Sequence, residues 1–196
     1  MLSQLSARLN AQKSFDDGVQ TILHDVIAMH GAEYGNLQLP VDGALIIVAQ
    51  SGLSAPFLRT FREVTEESGC ACGRALKLRK PVIIHDVEQD ESYRPYRDAA
   101  KLAGYRSVQS TPLIASGGEL VGVISTLFAQ VKQPTKIEME TLRLYSVEAA
   151  QRLLVLTDGE TIAAHARRMY DRLYAGLDGA AASADNAATA QAASGA

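Results

Sequence analysis

Two tight-turn signals constrain this chain most. Pro40-Val41-Asp42-Gly43 separates the apolar runs Tyr34–Leu39 and Ala44–Gln50, and Ser116-Gly117-Gly118-Glu119 separates Tyr105–Ala115 from Leu120–Ala129. Turns this short join antiparallel neighbours, because a parallel crossover needs a dozen or more residues. Four strands are thereby committed to antiparallel pairing. Helical patterns lie on either side of them. Phe15, Val19, Ile22, Leu23, Val26 and Ile27 recur at steps of three and four, with Ser14 and Asp17 placed as a capping box and Gly31 as the stop. Pro134-Thr135 with Glu138 opens a long helix whose stripe is Leu142, Tyr145, Ala149, Leu153 and Leu156.

Between these elements the signals are shorter. Pro56 to Val64 reads as a short helix capped by Ser54, Cys72 to Lys80 as a helical turn or two, and Pro81 to Val87 as a third strand. Tyr93 to Ala103 reads as a helix stopped by Gly104. The fold class is α+β: an antiparallel sheet flanked by helices, with the first and last helices of the domain packed together on one face. An N-terminal segment 1–13 precedes a domain at 14–157. An amphipathic helix follows at 158–178, striped by Ile162, Ala166, Met169, Leu173 and Leu177. Residues 179–196 are mostly alanine with a single charge at Asp185, too little apolar surface to offset ordering entropy, so this tail is expected to be disordered.

Composition narrows the function. The chain has 196 residues, 47% of them hydrophobic, enough for one domain with a substantial core. Its net charge of -3 and its few aromatics (four Phe, seven Tyr, no Trp) give no basis for nucleic-acid binding or for attraction to an acidic membrane. No apolar run approaches the roughly 20 residues that span a bilayer. Two cysteines make no disulfide framework. A reducing, cytoplasmic setting is the expectation.

The residues that carry chemistry cluster in two places. Ser68–Leu76, SGCACGRAL, holds both cysteines of the chain beside Gly69 and Gly73. Tyr105–Leu113, YRSVQSTPL, holds Ser107, Gln109 and Thr111 at alternate positions, hence on one face of a strand. A polar row on a half-buried strand needs partners, and a ligand is one candidate.

The order of elements resembles the GAF domain, a small-molecule-sensing relative of the PAS fold. The motifs that carry the resemblance are GCACGRAL at Gly69–Leu76, VIIHDVEQD at Val82–Asp90, AGYRSVQSTPLI at Ala103–Ile114 and GELVGVIST at Gly118–Thr126. They resemble the subgroup found in bacterial sensor histidine kinases and related signalling proteins. The resemblance implies a GAF/PAS-like sheet of five to six strands, with a ligand pocket between the sheet and the segments around the third strand. It implies a ligand-binding set of Cys72, Val87, Tyr96, Arg97, Gln109 and Thr111, suited to a small polar or anionic metabolite. The cyclic-nucleotide pattern of the family is missing, and neither cysteine sits in the Cys-His pair of many phytochromes. No particular cofactor is indicated.

Rival readings sit beside this one. Cys70 and Cys72 are a redox candidate, against the bland reading of small buried side chains beside a turn. One enzymatic branch of the family reduces free methionine sulfoxide with cysteines around the pocket. Cys72 resembles one of them, but the later cysteine of that branch is missing, so a thiol-dependent reductase is the alternative and non-enzymatic sensing the leading expectation. His85, set in an apolar run, is a weak candidate for a haem or iron ligand. Arg74, Arg97 and Arg106 are anion contacts or surface ion-pair partners. The apolar stripes Phe15–Ile27 and Leu142–Leu156 suggest a homodimer through terminal helices. Output would pass to a partner such as a histidine kinase; a ligand-free dimerisation module is the third alternative.

Overall fold

The computed structural model describes residues 1–177. The expected disorder of the alanine-rich tail concerns residues outside that range. Helices α1 (Leu2–Asn10) and α2 (Phe15–His30) lead into the hairpin β1 (Tyr34–Val41) and β2 (Ala44–Ser51). Then come α3 (Ala55–Thr60), β3 (Glu63–Val64), α4 (Ala71–Leu78) and β4 (Val82–Ile84). A 3₁₀ turn (Glu91–Tyr96) runs into α5 (Arg97–Ala103), the second hairpin is β5 (Ser107–Ile114) and β6 (Leu120–Phe128), and α6 (Lys136–Leu156) follows. A further helix, α7, occupies 162–177.

The six strands form one antiparallel sheet in the order β3-β2-β1-β6-β5-β4. Both hairpins form where the turn residues placed them. Asp42 (φ 48°) and Gly43 (φ 85°) take the positive φ that such a two-residue turn requires.

The start and stop chemistry holds in part: Ser54 makes no side-chain cap bond, and the Asp17 carboxylate takes the Ser14 hydroxyl rather than its amide, so the box expected at α2 is incomplete. Ser14 accepts from the Asp17 amide, and Gly31 closes α2 in the left-handed conformation. Thr135 and Glu138 make a complete capping box at α6, and the Thr135 amide bonded to Glu138 holds that carboxyl down at about 2.

Three local expectations are corrected. Pro56–Val64 is not one helix: α3 ends at Thr60, and Glu63–Val64 pairs with Leu45 and Ile46 as an edge strand. The third strand stops at Ile84 rather than Val87, because His85 and Asp86 leave the ladder. Pro95 cannot donate a helical bond, so Tyr93–Ala103 splits into a 3₁₀ turn and α5. The N-terminal segment 1–13 is also largely helical. Leu5 and Leu9 of α1 are buried against the α2–α6 pair, and Arg8 reaches the buried Asp25 at 2.5 Å, where the Tyr145 hydroxyl also donates at 2.7 Å.

The sheet separates two apolar layers. On one face α1, α2 and α6 pack over Leu37, Leu39, Leu113, Val121 and Ile124. On the other, α3, α4 and the 3₁₀–α5 segment pack over Leu45, Ile47, Val108, Val123 and Leu127. The stripes of α2 and α6 are consumed here: Val19, Ile22, Leu23, Tyr145, Ala149 and Leu153 show no exposed surface. The dimer surface expected from them is therefore interior to a single chain. The outward apolar residues of α6 are instead Ile137 (77% exposed), Leu144 (42%), Val147 (37%) and Val155 (60%).

Helix α7 does not stand apart from the domain. Ala166 and Met169 pack into the α2–α6 layer, and His165 stacks on Phe15 at 4.2 Å between ring centroids. Tyr174 is buried in the opposite layer, its hydroxyl donating to the Leu58 carbonyl of α3 at 2.9 Å.

Candidate functional site

The layer of α3 and α4 encloses a cavity against the sheet. Its floor is a polar row across three neighbouring strands. Asn36 of β1 lies opposite Ser125 of β6, which lies opposite Ser110 of β5. Gln38, two residues beyond Asn36 and on the same face, extends the row. All four are buried: Asn36 4% exposed, Gln38 1%, Ser110 0% and Ser125 3%. The serine hydroxyls bond each other at 2.8 Å. The Asn36 Oδ1 and both amide atoms of Gln38 have no hydrogen-bonding partner in the protein.

The remaining walls are aromatic and sulfur-bearing. Phe57 of α3 and Phe61 just after it lie 4.5 Å apart between centroids, and Phe57 meets Tyr105 edge-on at 5.9 Å. Tyr93 closes the end, its hydroxyl 2.8 Å from that of Tyr105. Burial pushes the pKa of both phenols up, so both remain neutral.

Cys70, the cap of α4, and Cys72 in its first turn form the third wall, with their sulfurs 3.5 Å apart. The hydrogen bond from Cys72 lowers the Cys70 thiol, against the opposing effect of burial. The same pairing, with burial, pushes Cys72 up. Gly73 lets α4 start close to the preceding loop: a Cβ there would lie 2.5 Å from the Ser68 carbonyl and 2.6 Å from that of Thr65.

No residue lining the cavity carries a charge. The space open to the centre of a water molecule is about 10 Å³, room for about one water. A larger guest requires the cavity walls to move apart.

The structure distributes the sequence-predicted residues over three places. Cys70 and Cys72 line the cavity. Tyr96 stands behind it, stacked on Phe61 at 5.3 Å. Val87 and Arg97 lie together in an outer groove with Lys101 and Arg106. Arg97 is tied down there by the carbonyls of Val87 (3.1 Å) and Asp90 (3.0 Å), and Arg106 makes two bonds to Asp86 at 3.2 and 2.7 Å.

Gln109 and Thr111 do share a face, but it is the opposite one. Gln109 reaches Met139 of α6 at 3.5 Å, and its register partner Thr126 bonds His30 of α2 at 3.1 Å. The six-residue pocket is corrected accordingly: these two cannot line one cavity with Cys72. His85 is corrected too. It is exposed beyond the end of β4, with its Nδ1 3.0 Å from the Lys132 carbonyl. Among the described residues no group of three or more His, Cys, Asp or Glu has metal-binding geometry.

Sequence reasoning passed over Asn36, Gln38, Ser110, Ser125, Phe57 and Phe61. The signal for the first two was present: Tyr34–Leu39 alternates polar and apolar residues as Tyr105–Leu113 does.

Comparison with known proteins agrees with this architecture. A family model described as GAF domain matches residues 12–153. The GAF domain of an Acinetobacter phosphoenolpyruvate-protein phosphotransferase superposes with a TM-score of 0.64 at 14% identity, over 78% of this chain and 90% of that one. The reduced form of fRMsr from Staphylococcus aureus gives 0.61 at 15% identity, over 78% and 92%. Among curated proteins, a methyl sulfide methyltransferase-associated sensor of Methanosarcina acetivorans is 28% identical over 79 residues. That match spans 40% of this chain and 8% of the sensor.

Proposed function

This chain belongs to the GAF domain family, and we propose that it is a sensing module that binds a small, uncharged polar molecule in the cavity between the sheet and α3–α4. The observation that carries the reading is the set of three unpartnered amide atoms on Asn36 and Gln38, buried on the cavity floor. A buried polar group without a partner costs about 1–3 kcal/mol. A ligand bearing both a donor and an acceptor, such as a carboxamide, urea or lactam, would recover that cost. The neutral lining selects against carboxylates and phosphates, since an unpaired buried charge is far costlier than an unpaired amide. The small polar or anionic metabolite expected from the sequence thus narrows to its neutral half.

Entry of such a ligand displaces Phe57 and Phe61, and with them α3. Tyr174 of α7 is bonded to the α3 backbone, so the lid and α7 move as neighbours. The outward residues Ile137, Leu144 and Val147, spaced by seven and then three residues as in a heptad seam, would seat a second copy of α6, making a homodimer whose terminal helices pass the change to a signalling partner such as a kinase. The likeness to a sensor and to a phosphotransferase domain supports this role.

The experiment is a thermal-shift series of matched pairs: acetamide and acetate, nicotinamide and nicotinate, urea and guanidinium. Saturable stabilisation by neutral members, absent from charged ones and lost in Asn36→Leu, supports the reading. Preference for a charged member contradicts it.

A second reading has one specific support. The thiol pair and the likeness to fRMsr fit a thiol-dependent reductase. Methionine sulfoxide turnover abolished by Cys72→Ser would carry that reading instead.

A further inference from the structure

The thiols of Cys70 and Cys72 are the chain's only two. They lie 3.5 Å apart, 1% and 8% exposed, in a cavity without a charged side chain. Few partners satisfy this arrangement. Structural zinc takes four ligands, and among the described residues no third His, Cys, Asp or Glu joins the pair. A copper(I) bis-thiolate would leave a net negative charge with no basic side chain on the cavity wall. A disulfide needs the sulfurs to close to about 2.05 Å.

We propose that Cys70 and Cys72 form a chelating site for trivalent arsenic hydroxides, neutral metalloids that condense with paired thiols. Two S–H bonds and two As–OH bonds break, two As–S bonds form, and two waters leave. Arsenic remains trivalent and no electron is transferred. The product, a dithioarsenite with one remaining hydroxyl, is uncharged, as the cavity demands. A pyramidal centre with sulfur bonds of about 2.3 Å, the length of other metal–thiolate bonds, spans about 3.5 Å between its sulfurs. The remaining hydroxyl needs an acceptor, and the unpartnered Oδ1 of Asn36, buried to 4% exposure, faces the same cavity. The site rests on the thiols and not on the neutral-ligand reading.

The test is titration of the reduced protein with sodium arsenite, in a phosphine reductant that does not chelate arsenic, read by intact native mass spectrometry and thermal shift. The expected result is one arsenic per chain, retained as the As–OH adduct. Cys70→Ser and Cys72→Ser should each weaken uptake by about 10²–10⁴-fold, the loss of one arm of a chelate. Cys70→Ala and Cys72→Ala serve if either serine variant is misfolded by circular dichroism. No uptake at millimolar arsenite, or single-cysteine variants weakened less than about tenfold, overturns the site.

Discussion

Gln38→Leu removes both unpartnered amide atoms of that side chain while nearly conserving its volume. Gln38 is 1% exposed on the cavity floor. Its Nε2 and Oε1 make no hydrogen bond within the protein. Each unsatisfied buried group costs about 1–3 kcal/mol, and a volume-conserving apolar exchange in a core usually costs less than about 1.5 kcal/mol. The ligand-free variant should therefore be more stable than wild type, by about 1–3 kcal/mol if the repacking strain is small. In a chain of this size that raises the melting temperature by about 2–12 °C. The same substitution should abolish stabilisation by neutral amides, so stability rises as function is lost. Guanidinium chloride denaturation followed by circular dichroism gives the first quantity and thermal shift the second. A variant destabilised by more than about 1.5 kcal/mol would refute the reasoning, because it would show that the amide is satisfied as part of the fold.

Three further outcomes follow from other parts of the structure. Burial lowers His30 to about 4, so its neutral form is favoured in the fold. Its contribution is complete above an unfolded value near 6.5 and fades as pH falls towards 4. His30→Gln should lose about 3 kcal/mol less than wild type between pH 7 and pH 4 in guanidinium chloride titrations. Gly73→Ala places a Cβ within 2.6 Å of two carbonyl oxygens and should cost more than about 2 kcal/mol in the same assay. Leu144→Lys on the outward face of α6 should turn a dimer into a monomer by light scattering with the melting temperature of the chain little changed, whereas Leu153→Glu should unfold it.

The elements were legible because their chemistry is local. Turn residues at Asp42-Gly43, the cap at Ser14 and the box at Thr135–Glu138 each act within four residues. The site was legible only in part. Strand parity correctly groups Gln109 with Thr111, but parity does not say which face meets α6 and which meets α4. That choice follows from long-range pairing of β1 with β6, and it assigns Ser110 rather than Gln109 to the cavity. The polar row read as a ligand signal found protein partners in Met139 and Thr111, with His30 and Thr126 paired beside it. Gln109 Oε1 and His30 Nε2 stay unpartnered there, but the row that faces a cavity lies on the other side of the sheet. The dimer stripe failed for a related reason: periodicity marks an apolar face but not what covers it, and α1, α2 and the sheet cover this one.

The central claim, that the buried amides of Asn36 and Gln38 receive a neutral ligand, is tested most directly by nitrogen-edited NMR of their side-chain NH₂ resonances during titration with the neutral compounds of the matched series. The account predicts that these resonances shift and saturate at the concentration that saturates the thermal response, while acetate and nicotinate leave them unmoved. Amide resonances that stay fixed while the melting temperature climbs, or that respond to no neutral compound at all, would contradict it.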